Sequence, residues 1–114
     1  MSLPARPMPR PTAQVEPYVT ALGAELAVTF LLHYGGAELY IRKLETDAAY
    51  TALVGRDGAR ALADQAGRMQ RRVPLAKAWL AAMLDWQGLT AAEIARKLRV
   101  SDVAVRRMLK DRQE

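Results

Sequence analysis

Residues 88–110, GLTAAEIARKLRVSDVAVRRMLK, constrain the fold more than any other stretch. Thr90 precedes Glu93 by three positions, the capping-box spacing that opens a helix, and Gly88 is placed to end the helix before it. Ile94, Ala95 and Leu98 fall on one face of that first helix, with Ala95 small enough to let a second helix approach. Val100 can pack in the turn. Ser101 suits the N-cap of the next helix, with Asp102 favourable in its first turn. Val105, Met108 and Leu109 then repeat at helical spacing, while Asp102, Arg106, Arg107 and Lys110 occupy the opposite face. The expectation is a helix-turn-helix with a basic second helix. The competing expectation is a plain helical hairpin with a solvated charged face.

The turn departs from the usual form in one residue. Glycine often stands there because the backbone needs positive φ, whereas this chain has Arg99. A left-handed arginine costs about 1 kcal/mol relative to glycine, and its guanidinium becomes available for a phosphate.

Charge reinforces the reading. Residues 1–67 hold six Lys/Arg and seven Asp/Glu, a net of −1; residues 68–114 hold eleven and five, a net of +6. A basic module attached to a near-neutral scaffold is the electrostatic pattern of nucleic-acid binding. Arg106 and Arg107 are candidates to read guanine edges or phosphates. Arg96, Lys97, Arg99 and Lys110 are candidates for sequence-independent phosphate contacts. Ser101 and Asp102, at the start of the second helix, complete the candidate DNA-binding surface.

Three regions are expected. Residues 1–15 carry Pro4, Pro7, Pro9 and Pro11 and read as an extended or disordered tail. Residues 16–73 read as a dimerisation region of helices with one or two short strands, and residues 74–114 as the DNA-binding region. The fold class is mainly α. Within the middle region, 16–34 reads as one helix with a stripe of Val19, Leu22, Leu26 and Phe30, apolar nearly all round and so suited to a second subunit. His33 sits favourably near its C-terminus. Residues 37–42 alternate as a half-buried strand. Residues 45–67 read as one or two helices capped by Thr46 or Asp47, with Tyr50, Leu53 and Val54 buried and Gly55 and Gly58 interrupting. Residues 68–73 are a second candidate strand, stopped by Pro74, which suits the first turn of a helix over 75–87. That helix places Leu75, Trp79, Met83 and Trp86 on one face, a core pattern.

A faint repeat runs at an offset of 32 residues: Gly23 with Gly55, Ala27 with Ala59, Phe30 with Leu62, Gly35 with Gly67, Ile41 with Val73. A true repeat would let the two strands pair inside one chain about a pseudo-two-fold axis. Without it, residues 37–42 would pair with their symmetry mate in a dimer.

At Tyr34-Gly35-Gly36-Ala37-Glu38-Leu39-Tyr40-Ile41 the chain resembles the Mor transcription activator family of phage Mu and related prophages. Those proteins carry a Gly-Gly-x-x-x-Tyr-Ile-Pro strand between a helix and a C-terminal helix-turn-helix. The resemblance implies a homodimer through N-terminal helices and an antiparallel ribbon of two strands. Gly35, Gly36 and Tyr40 would then belong to the ribbon, with Tyr40 near the DNA backbone or minor groove. Two features depart from the pattern. Arg42 replaces the family's proline, and some thirty residues separate this strand from the DNA-binding helices, so that residues 67–74 stand where the family's ribbon would and the ribbon falls to 37–42, to 69–73, or to both.

The expected function is sequence-specific double-stranded DNA binding by a transcription regulator of phage or prophage type. The alternative is an interaction module that docks its basic face on RNA polymerase or another phage protein. An enzyme is not expected: the chain has one histidine, no cysteine, no phosphate-cradling glycine loop and no metal-ligand spacing, so no cofactor is expected either. Disulfides are excluded, and no apolar run reaches the ~18 residues of a membrane span. A cytoplasmic location is the expectation.

Overall fold

The computed structural model describes residues 7–38 and 50–112. They fold into α1 (Glu16–Leu22), α2 (Ala24–Tyr34), α3 (Thr51–Asp64), α4 (Lys77–Trp86), α5 (Ala91–Leu98) and α6 (Asp102–Arg112), with a 3-10 turn at Ala66–Arg68. The protein is mainly helical, and no β-strand forms among the described residues. The chain divides into two compact units: Pro11–Leu75, and Ala76 onward together with the described residues 7–10.

In the first unit, the single helix expected over 16–34 is two helices. Gly23 breaks it at φ 82°, ψ 158°, a backbone region open essentially to glycine alone. Gly55 breaks α3 at nearly the same angles, φ 79° and ψ 168°. A β-carbon would meet nothing within 4 Å at either position, so dihedral geometry and not crowding demands glycine at both. The two glycines are 32 residues apart, and the repeat is carried by burial as well. Ala27 and Ala59 are buried, as are Phe30 and Leu62, and Tyr18 and Tyr50 stand at the same offset. The two copies meet around Phe30, whose ring lies 5.7 Å from Tyr18 and 6.2 Å from Tyr50. Burial pushes the Tyr18 phenol up to about 12. The break also shifts the phase of the apolar stripe. Tyr18 is buried where Val19, half-buried, was expected, because the stripe of one continuous helix does not survive the kink.

Gly58, expected to interrupt, lies inside α3, where a β-carbon would come within 2.9 Å of Val54 Cβ and 3.2 Å of Leu22 Cδ2. Glycine there permits close packing instead of a break. Tyr50 and Val54 are buried as expected, and Leu53 is half-buried. The candidate caps Thr46 and Asp47 lie outside the described residues.

The second candidate strand, 68–73, is not a strand. Its start belongs to the 3-10 turn, and its pairing reduces to one isolated antiparallel bridge between Glu38 and Arg72. Val73 N–H donates to Ala37 O at 2.9 Å and Gly36 N–H to Val73 O at 2.8 Å. Pro74 has no N–H with which to extend the ladder. Of the first candidate strand only residues 37 and 38 are described; Tyr40, Ile41 and Arg42 lie outside the described residues.

Gly35 and Gly36 therefore have a local structural reason. A β-carbon on Gly35 would fall 2.7 Å from Leu31 O and 3.3 Å from Pro74 O. The pair ends α2 and lays the chain along residues 73–75. The Arg72 guanidinium closes the same turn, donating to Gly36 O at 2.9 Å and to Glu38 Oε1 at 3.2 Å. Within the stretch read as a tail, residues 12–15 are already folded: Val15 and Glu16 N–H donate to Thr12 O, and Val15 is buried.

In the second unit, α4 starts at Lys77, later than expected, because Ala76 is left-handed at φ 51°, ψ 35° and cannot belong to a right-handed helix. Leu75 is consequently 55% exposed instead of joining the core. Trp79, Leu80, Met83 and Leu84 are buried and Trp86 is half-buried. Trp79 Nε1–H donates to Pro9 O at 3.3 Å, satisfying the indole in its apolar site. Gly88 follows α4 as anticipated, with its N–H donating to Asp85 O and that of Leu89 to Leu84 O.

Candidate functional site

The candidate surface is built on α4, α5 and α6, which pack pairwise on one another. The start of α5 is fixed by a complete capping box. Thr90 Oγ1 accepts from Glu93 N–H at 3.2 Å, and Thr90 N–H donates to Glu93 Oε1 at 2.9 Å. The Thr90 backbone N–H foremost, and then the Thr90 hydroxyl, hold the Glu93 carboxyl below the usual carboxylate range; Arg96 and Lys97 act in the same direction. Ile94, Ala95 and Leu98 form the buried face, leaving Arg96 and Lys97 exposed on the opposite side.

The chain then turns at Arg99, whose backbone is left-handed at φ 57°, ψ 48°. The N–H groups of Arg99 and Val100 both reach Ala95 O, the latter at 3.1 Å, and so satisfy the end of α5. The glycine-like conformation expected at this position is present, carried by an arginine whose side chain is left exposed.

Ser101 begins the next helix. Its Oγ accepts from Ala104 N–H at 3.0 Å, so the hydroxyl is committed to capping α6. Val105 is fully buried and anchors α6; burying a side chain of this size contributes about 1.5–3 kcal/mol. Ala104, Met108 and Leu109 are half-buried beside it. Arg106, Arg107 and Lys110 are exposed on the other side. Asp102 pairs with Arg106 at 3.3 Å, an exposed i,i+4 contact worth only about 0.3–0.5 kcal/mol. The pair restrains the Arg106 guanidinium without removing it from solvent. Among the described residues Arg107 and Lys110 take part in no ion pair shown by the structure.

Six of the cations anticipated from sequence, Arg96, Lys97, Arg99, Arg106, Arg107 and Lys110, are thus exposed within one three-helix unit. Residues 91–112 hold seven Lys/Arg and three Asp/Glu, a net of +4. Gly35 and Gly36 belong to the other unit. Val103 was missed by the sequence reading. It is 59% exposed in the first turn of α6. Its signal was available: a valine four residues before Arg107, out of phase with the buried Val105.

Among the described residues no group of three or more histidines or carboxylates gathers to hold a metal ion. No helix among them is long and apolar enough to cross a membrane. Comparison of the chain with protein-family models, with curated proteins and with solved structures returns no match.

Proposed function

We propose that the protein binds double-stranded DNA, with α5 and α6 acting as a helix-turn-helix and α6 as the element that enters the major groove. The observation that supports this most is the left-handed turn at Arg99. It joins a capped helix with a buried face to a second helix with exposed Arg106, Arg107 and Lys110. A plain solvated hairpin does not call for a small buried residue such as Ala95 at the crossing or a net charge of +4 over 22 positions. In this reading Arg96, Lys97, Arg99 and Lys110 meet phosphates, and Arg106 and Arg107 lie at or beside base edges.

The more particular proposal is a transcription regulator of phage or prophage type, similar to the Mor activators. It rests on the Tyr34–Ile41 motif. One of its supports is weaker than the sequence suggested. At residues 36–38 the backbone pairs within the chain, against residues 72 and 73, while residues 39–42 of the ribbon segment lie outside the described residues. The apolar surface of α1 and α2 likewise meets an internal counterpart, α3. In this reading the DNA contacts lie on the second unit of each chain, whether one copy or two bind the duplex.

The test is salt-dependent binding of the full chain to mixed-sequence duplex, compared with Arg106→Ala/Arg107→Ala. The double variant should bind more weakly and relax the sequence preference, whereas Lys97→Ala and Lys110→Ala should each lower the salt slope by about one unit. Absence of duplex binding at low salt, or unchanged affinity and sequence preference in the double variant, refutes the assignment. The first of these results favours docking of the basic face on a protein such as RNA polymerase.

A further inference from the structure

We infer that Val103 is a base-reading residue that recognises the 5-methyl group of a thymine, beside a guanine read by Arg107; this rests on the proposal that α6 enters the major groove. Val103 is 59% exposed in a helix whose other aliphatic side chains are buried or half-buried. At 100° per residue, Val103 and Arg107 lie about 160° and 200° around α6 from Val105. They are thus on the side opposite the buried anchor, whereas Arg106 lies at about 100° and is tied to Asp102.

An exposed valine in a helical first turn has no folding role here. Ser101 supplies the cap and Val105 the packing. In a major groove it has a chemical partner. Thymine alone among the four bases presents a methyl group there, while guanine presents the paired O6 and N7 acceptors that fit a guanidinium. The four-residue separation of Val103 and Arg107 spans about 6 Å along the helix, so the two bases lie within about two base pairs of one another.

The experiment begins with selection of duplexes from a random library by the full-length chain. Each thymine of the enriched sequence is then replaced by deoxyuridine, which removes only the methyl group. One thymine within two base pairs of a guanine should lose about fourfold in affinity on this exchange, the worth of one buried methyl group. Val103→Ser should bind the thymine and deoxyuridine duplexes equally. Arg107→Ala should relax the choice of the neighbouring guanine while keeping the methyl effect. If a sequence is enriched but no thymine shows a methyl effect, or Val103→Ser retains it, the inference is overturned and the DNA-binding reading stands. If no duplex is enriched, both fall. Because Val103 is exposed, its replacement should leave the helical circular dichroism of the chain unchanged.

Discussion

Replacing Gly23 or Gly55 by alanine separates backbone geometry from packing. Both residues hold φ near 80° and ψ near 160°. A β-carbon would touch nothing within 4 Å at either position. Steric overlap with neighbours is therefore absent, and the helix propensity of alanine acts in favour of the substitution by about 1 kcal/mol. Against it stands the dihedral penalty, about 1–3 kcal/mol for a residue with a β-carbon in this region. Propensity cannot offset that penalty while the kink persists, because neither glycine has helical dihedrals. Straightening the helix would instead pull apart the contacts around Phe30, which joins Tyr18 to Tyr50. Each variant should lose about 2 kcal/mol, and the two losses should be nearly equal because the conformations match. Gly67→Ala is the control. It has equally open space and no positive φ, so it should be neutral or stabilising by up to about 1 kcal/mol. Urea denaturation followed by far-ultraviolet circular dichroism measures all three. If Gly23→Ala and Gly55→Ala are as stable as Gly67→Ala, the kinks are not required, and the structural equivalence of the two copies loses its physical basis.

Two further outcomes concern the candidate site. Arg99→Gly and Arg99→Ala both remove a cation, and only glycine relieves the left-handed strain. The glycine variant should be the more stable by about 0.5 kcal/mol, after allowance for the greater freedom of unfolded glycine. Both should weaken duplex binding alike, and a thermal melt and a salt titration read the two effects separately. Glu93 has a sign fixed by its cap: its folded pKa lies below the usual value near 4.5. Its contribution is complete above the unfolded value and is lost as pH falls through the lower folded value. Between about pH 6 and about pH 3 the wild type should therefore lose more stability than Glu93→Gln. An identical acid-side slope in the two proteins would remove the carboxylate from the account of the α5 cap.

Much of the second unit was legible from local chemistry. The Thr90–Glu93 box, the Ser101 cap and the buried Ile94, Ala95, Leu98 and Val105 all follow from spacing within a few residues. Even the left-handed backbone at Arg99 could be anticipated, since a turn of this length needs one residue there whatever its side chain. The first unit was harder: the break at Gly55 was anticipated, but the one at Gly23 sits inside an apolar run that continues across it. Periodicity measures which residues are apolar and is blind to a dihedral change that keeps both flanking segments helical. The exposed Val103 was passed over for a related reason: an apolar residue in an apolar-rich helix gives no sign of which way it faces until the anchor is known.

By itself, then, the sequence determined the helical class, the basic second half, and the cap, turn and anchor residues of α5 and α6. These depend on hydrogen bonds and side-chain periods that close within one or two turns. Only the tertiary structure decided that residues 36–38 pair with residues 72 and 73 of the same chain, that Gly35 serves a close approach to Pro74, and that the 32-residue repeat has a physical core around Phe30. Each of these joins backbone or rings far apart in sequence. Their partners are chosen by which surfaces remain unburied after the local elements have formed, and no local pattern records that choice.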